Sequence, residues 1–225
     1  MFVKCKLSGK IKSIRTPLKK HSLLRICGIP CYDHLERSRL LMRILLINGY
    51  TPHPDAGGKL TETLINASQE LLVKQNEVKL TAVTHYDADE EYNKFRWADL
   101  ILLYFPLYWY AVPWGLKRYI DDVFALHRFY DSDENGQPVA LMPGKKFGYV
   151  TTLAAVQETY APENPLTEGL TVTDLLKPLE VTFRYVGIEP TTTFHNCVFY
   201  DVYNPSVIQP IKQTLLSELS KLNSK

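Results

Sequence analysis

A chain of 225 residues with 45% hydrophobic and 22% charged residues has the make-up of a soluble globular protein, and it is long enough for one sizeable α/β core. Its formal charge of +2 hides a division: residues 1–41 hold ten Lys/Arg against two Asp/Glu, leaving 16 basic and 22 acidic residues from 42 onward. The acidic remainder argues against nucleic acid as the main partner, four cysteines make no disulfide scaffold at this size, and no apolar run approaches a transmembrane segment in length.

Residues 1–41 show little periodicity and lack an apolar signal core followed by a small-residue cleavage site. The basic, acid-poor stretch up to Arg25 has a faint likeness to an organellar transit peptide, and a start-site error upstream of Met42 is the simpler reading. We expect this leader to be disordered or artefactual, with a basic arm for membrane or nucleic acid as the alternative. Cys5, Cys27 and Cys31 fall within it, and no second ligand pair follows Cys27 and Cys31 at zinc-site spacing. The cysteine usage fits a reducing cytoplasm.

The domain itself is expected over 42–225. Residues 43–48 (RILLIN) read as a first buried strand. The Gly- and Pro-rich loop NGYTPHPDAGGKL leads from it into a helix with Leu60, Leu64, Ala67 and Leu71 on one face. Strand, glycine-bearing loop and helix start together make an anion site, because the first backbone N–H groups of a helix are free and its dipole favours negative charge. The loop is neither a dinucleotide fingerprint nor a Walker loop, and Gly57 and Gly58 could serve turn geometry alone. Residues 77–83 alternate as a second strand, and a short helix is expected over 89–96.

Residues 99–105 form a nearly unbroken apolar run, the pattern of a strand buried on both faces of a parallel sheet. Pro106 ends it, Pro113 suits a helix start, and Leu116, Ile120, Val123 and Phe124 lie on one helical face. The intervening LYWYAV carries three aromatics and no charge. At the carboxyl end of a central strand it reads as a wall for a flat ring, against the plainer reading of core or oligomer-interface aromatics.

Residues 127–144 make a long polar excursion with three turn signals. Residues 146–152 are a fourth strand, followed by TTLAAVQETY. A helix is expected over 171–185, kinked or divided at Pro178. A fifth strand is expected over 189–199 and a closing amphipathic helix over 206–222. This alternation predicts a doubly wound, five-stranded parallel sheet of order 2-1-3-4-5 with helices on both faces. The loops after strands one, three and four then meet at the switch point, where a phosphate cradle, an aromatic wall and hydroxyls suit a flavin better than a bare nucleotide. His85, His127 and His195 are scattered, Cys197 reads as a small core residue, and Asp121 and Asp122 read as a solvated or interface face near Lys117.

At INGY, GKLTETL and above all WADLILLYFPLYWYAVPWGLKRYIDDVF, the chain resembles the flavodoxin-like NAD(P)H:quinone oxidoreductases, nearest to the bacterial modulator of drug activity B branch. The resemblance runs from Met42 to the carboxyl end. It implies a flavodoxin-like fold, FAD as cofactor, NADPH or NADH as electron donor, a quinone or similar planar acceptor, and a homodimer with flavin sites at the subunit interface. Carried over by position, the diphosphate and ribityl loop is Ala56, Gly57, Gly58, Lys59, Leu60, Thr61, Glu62 and Thr63. The ring loop is Pro106, Leu107, Tyr108, Trp109 and Tyr110. Tyr130 matches a flavin-contacting tyrosine, and Thr152, Leu153, Ala154 and Ala155 match the loop after strand four.

One departure stands out. The family commonly has His-Ser before the first-loop glycine, whereas this chain has Asp55-Ala56. A carboxylate repels a diphosphate and the Ser donor is missing; Lys59 and His53 are placed to compensate, and FMN is left open as the flavin. The expected chemistry is two-electron, ping-pong hydride transfer from nicotinamide to flavin to quinone, with backbone donors steadying the reduced ring. Tyr160 is the one side chain expected to line the acceptor pocket or deliver a proton, with a packed interface tyrosine as the alternative. Two other functions compete: a flavodoxin-type electron carrier, and a flavin-binding regulatory partner of a membrane transporter.

Overall fold

Two hydrophobic layers sandwich one parallel sheet in the computed structural model, which describes residues 41–223. The expectation for residues 1–41 falls, except for Leu41, outside those described. In chain order the elements are β1 (Arg43–Asn48), α1 (Lys59–Leu72), β2 (Glu77–Ala82), α2 (Ala88–Trp97), β3 (Leu100–Pro106) and α3 (Trp114–Val123). There follow β4 (Tyr130–Ser132), β5 (Pro138–Ala140), β6 (Lys145–Thr152), α4 (Val172–Leu175), α5 (Lys177–Tyr185), β7 (Ile188–Pro190), β8 (Cys197–Phe199) and α6 (Ile208–Ser220). The sheet order is β2-β1-β3-β6-β7, with β8 also paired to β6, and every pairing in it is parallel. The 2-1-3-4-5 expectation therefore holds, with the last position filled by two short pieces.

The apolar runs of β1 and β3 divide between the two layers with the strand's period of two. Leu45, Ile47, Ile101, Leu103 and Phe105 pack against Phe95, Leu116, Tyr119 and Phe183 from α2, α3 and α5. Ile44, Leu46, Leu102 and Tyr104 pack against Leu64, Ile65, Leu215 and Leu219 from α1 and α6. Each of these sealed side chains contributes about 1.5–3 kcal/mol relative to exposure. At the amino edge, Arg43 clamps the register of β1 against β3. Its Nη2 donates to Asp99 Oδ1 at 2.6 Å, and its backbone N–H and Nε donate to Oδ2.

Two sequence expectations change, and a third, the division of the 171–185 helix, holds with its break two residues before Pro178. The fifth strand over 189–199 is broken: β7 pairs with residues 145–147 and β8 with 150–152. Between them the chain swings out so that Phe194 packs on Gly148, where a Cβ would come within 2.9 Å of the ring. Asn196 Oδ1 takes the Tyr149 N–H at 2.9 Å across the break. The β-branched threonines of this stretch suggest a strand but serve the bulge. The helix over 171–185 divides at Leu176, the N-cap of α5, with Pro178 in that helix's first turn, where its missing N–H costs nothing. The polar excursion 127–144 contains an antiparallel hairpin, β4 with β5.

A charged group is buried where α2 meets α3. Glu91 is fully buried and accepts from the Thr81 hydroxyl at 2.7 Å, the Tyr119 hydroxyl at 2.5 Å and Lys94 Nζ at 2.5 Å. Removing the carboxylate strands three donors, so Glu91→Ala is expected to cost about 3–5 kcal/mol. Urea denaturation measures it, and a loss below about 1 kcal/mol contradicts this role.

Candidate functional site

The loops that leave the carboxyl ends of β1, β3 and β6 are bonded directly to one another. The Tyr108 hydroxyl donates to the Thr51 carbonyl at 2.9 Å, and the Leu107 N–H donates to the Thr152 carbonyl at 2.9 Å. A fourth segment, after β8, is tied in by Val202 N–H to the Leu153 carbonyl and Asp201 N–H to the Ala155 carbonyl. Between them opens a cleft of about 560 Å³. Burial pushes the Tyr108 hydroxyl up to about 12, with Tyr50 and Tyr203 adding to it, so the group remains a donor across the neutral range.

The first loop is shaped by aromatic scaffolding. A turn closes with the Ala56 N–H on the His53 carbonyl, the Tyr50 hydroxyl holds the Ala56 carbonyl at 2.9 Å, and the Tyr203 hydroxyl holds the Asp55 carbonyl. Gly58, at φ +68°, is required twice over: its conformation favours glycine, and a Cβ would sit 2.7 Å from the Tyr50 ring. It leads into α1, which has no side-chain cap. The first intrahelical bond is Glu62 N–H to the Gly58 carbonyl, and among the described residues the N–H groups of Lys59, Leu60 and Thr61 have no acceptor. Uncapped donors at the positive end of a fourteen-residue helix make a seat for an anion.

The aromatic wall is a two-residue turn. Tyr108 and Ala111 exchange both backbone hydrogen bonds, and the central pair, Trp109 and Tyr110, have φ of +46° and +66°. This is the dihedral pattern of a type I′ turn, which prefers Asn-Gly; bulky residues held there cost about 1–3 kcal/mol each. The turn nevertheless presents Trp109 with 87% of its surface exposed at the cleft. The N–H groups of Leu107, Tyr108 and Leu153 are used within the protein. Among the described residues those of Trp109, Tyr110, Ala154 and Ala155 bond to nothing, and Trp109 and Ala154, which line the cleft, are the donors left for a polar ring edge.

Of the residues expected here, 56–61, Thr63, 106–109, Thr152 and Ala154 line the cleft. Glu62 lies on the exposed side of α1, and Leu153 is buried in the core. Ala155, Tyr110 and Tyr160 are not among the residues that line the cleft. Tyr160 is buried at the end of a 3₁₀ turn, edge-on to Tyr110 at 6.5 Å and tilted to Tyr200 at 5.9 Å. Its hydroxyl is raised by burial and by those two neighbours, so it stays protonated. Tyr130 sits away on β4, edge-on to Tyr185 beside a groove between α3 and α5. Val202, Tyr203 and Ile208 join the lining without having been singled out. They follow β8, so the strand-end rule that selects the other loops could have found them.

The family described as a flavodoxin-like fold matches residues 42–222. The chain is 30% identical over 165 residues to the NADPH:quinone oxidoreductase MdaB of Haemophilus influenzae, covering 68% of this chain and 86% of that one. It is 30% identical over 128 residues to the FMN-dependent NADH:quinone oxidoreductase 1 of Cupriavidus pinatubonensis, covering 57% and 52%. Among solved structures, the FMN-dependent NADH-azoreductase of Bacillus anthracis, in complex with FMN, superimposes with a TM-score of 0.59 at 16% identity, covering 81% and 99%. That last likeness is one of fold.

The turn geometry makes a prediction. Trp109→Asn puts a residue tolerant of positive φ at an exposed position, so stability is expected to rise by roughly 0.5–1 kcal/mol. Chemical denaturation checks this; a loss above about 1 kcal/mol would make Trp109 a packing residue instead.

Proposed function

The chain belongs to the flavodoxin-like family of NAD(P)H:quinone oxidoreductases, and from that premise we propose that it is itself a flavin-dependent NAD(P)H:quinone reductase using FAD. The observation that carries the reading is an uncapped helix start and a strained, exposed aromatic turn opening onto one cleft. A flavin held there would supply two-electron chemistry between NAD(P)H and a quinone, which we read as ping-pong in order. Gly57, Gly58 and the free N–H groups of Lys59, Leu60 and Thr61 would hold the phosphate tail, with the Lys59 ammonium offsetting the Asp55 carboxylate. The free N–H groups of Trp109 and Ala154 would steady negative charge on the ring edge. Tyr160, kept protonated by burial and packed on Tyr110 and Tyr200, would bear on the acceptor through the Tyr110 turn rather than by lining the cleft.

FAD is favoured over FMN because the cleft continues past the start of α1 onto Thr63, Val202, Tyr203 and Ile208, a largely apolar wall suited to a second ring system. FMN is the second reading, supported by the name of the Cupriavidus relative and by the charge of Asp55. A homodimer in the cytoplasm completes the proposal. Its support is the placement of Tyr130 outside this chain's cleft, beside a groove flanked by the exposed Val181 and Tyr185, where it would serve a flavin held by a second copy.

Purified protein is expected to be yellow, to release FAD at one per chain on acid denaturation, and to oxidise NADPH or NADH when a soluble quinone is added. Gly58→Ala, which drives a methyl group into the Tyr50 ring, is expected to lower flavin affinity at least tenfold while circular dichroism stays unchanged. Released FMN would replace the FAD assignment. A colourless protein that takes up neither flavin would overturn the reading.

A further inference from the structure

A second cavity of about 540 Å³ opens on the other side of the first loop, and the flavin reading leaves it without a role. One wall is a face of α3, with Trp114, Arg118 and Asp122 at four-residue steps; the other carries His85 and Tyr86, from the segment after β2. The floor is Thr51. It is 2% exposed, its hydroxyl has no partner among the described residues, and it lies so close to Gly115 that a Cβ there would come within 2.5 Å of Oγ1.

These groups suit a phosphate beside a planar base. Helix α3 has no side-chain cap and no acid in its first turn. Its first intrahelical bond is Lys117 N–H to the Pro113 carbonyl, so among the described residues the N–H groups of Trp114, Gly115 and Leu116 have no acceptor. Arg118 touches Asp122 only through Nε, at 3.4 Å, and its two terminal nitrogens bond to nothing described. Asp122 is the one carboxylate of the lining, and the Tyr86 hydroxyl holds its Oδ2 at 2.6 Å. Trp114, 63% exposed, offers an indole face on the rim.

The two cavities are one residue apart. The Thr51 carbonyl accepts the Tyr108 hydroxyl of the flavin cleft, while the Thr51 side chain belongs to the second cavity. A ligand with its reactive ring at Trp109 can therefore lay its far end here. We propose that this cavity takes the phosphoadenosine end of the nicotinamide donor, and that Arg118 reads the 2′-phosphate that distinguishes NADPH from NADH. A guanidinium matches phosphate in geometry and charge, and this one is not already committed to a bidentate partner. The inference rests on the quinone-reductase reading.

The test uses the full chain with its bound flavin. Steady-state kinetics with NADPH and with NADH compare the unaltered protein with Arg118→Gln, and calorimetric titration with adenosine 2′,5′-bisphosphate reads the cavity without any turnover. The expected result is a preference for NADPH, in kcat/KM, that falls at least tenfold in the variant. Bisphosphate binding is expected to weaken by a similar factor, with flavin content unaltered. Equal changes for both donors, or bisphosphate binding indifferent to the substitution, overturn the proposal. Absence of turnover with either donor defeats the quinone-reductase reading instead; the titration then decides alone, and bisphosphate binding that is absent or indifferent to Arg118 removes the phosphate site.

Discussion

The loop after β3 is pinned on both sides, and the rest of the site follows from that. Tyr108 binds it to the first loop and Leu107 to the loop after β6, so segments more than forty residues apart in sequence are fixed edge to edge. Two neutral hydrogen bonds contribute about 1–3 kcal/mol together. Holding Trp109 and Tyr110 at positive φ costs about as much or more. The surplus comes from β3, whose Leu102, Leu103, Tyr104 and Phe105 are sealed between the two helical layers. A strand buried on both faces provides the rigidity that lets a strained aromatic turn project into solvent.

The helix starts at the same edge of the sheet are not capped alike. Helix α2 begins under a side-chain cap, Asp87, which accepts from the N–H groups of Asp89 and Glu90. Helices α1 and α3 begin without one, and each opens onto a cavity. Leaving helix-start donors unsatisfied weakens a helix by about 0.5–2 kcal/mol, which makes sense where an anionic ligand completes the cap. Thr51, between the cavities, joins them through its carbonyl and its hydroxyl.

Most of this was legible in the sequence because it rests on patterns of burial. Unbroken apolar runs at 43–48 and 99–105 marked the central strands, and prolines at 106 and 113 bracketed the aromatic turn. The helical face at Leu116, Ile120 and Val123 is the one that is buried. For α1 the buried stripe is turned toward Ile65, Ser68 and Leu72, because α6 covers that side, and Leu60 and Leu71 are left half-buried. What was not legible depends on partners distant in sequence. The threonine-rich stretch after β7 reads as strand until Phe194 claims the place beside Gly148, and Tyr203 gains its role only when β8 brings its loop over Asp55. The positive φ of Trp109 and Tyr110 contradicts their intrinsic preference, which is where a local reading fails and a functional site begins.

The central claim is that Trp109 forms a wall of a flavin site assembled from these strand-end loops. Among the described residues the only other tryptophans are Trp97 and Trp114, so a Trp97→Phe, Trp114→Phe variant leaves Trp109 as their sole reporter. Titrating the flavin-free form of that variant with FAD while following indole emission puts the claim to the test. The account predicts strong, saturable quenching that ends at one flavin per chain. Flavin uptake that leaves the Trp109 emission unchanged would contradict it.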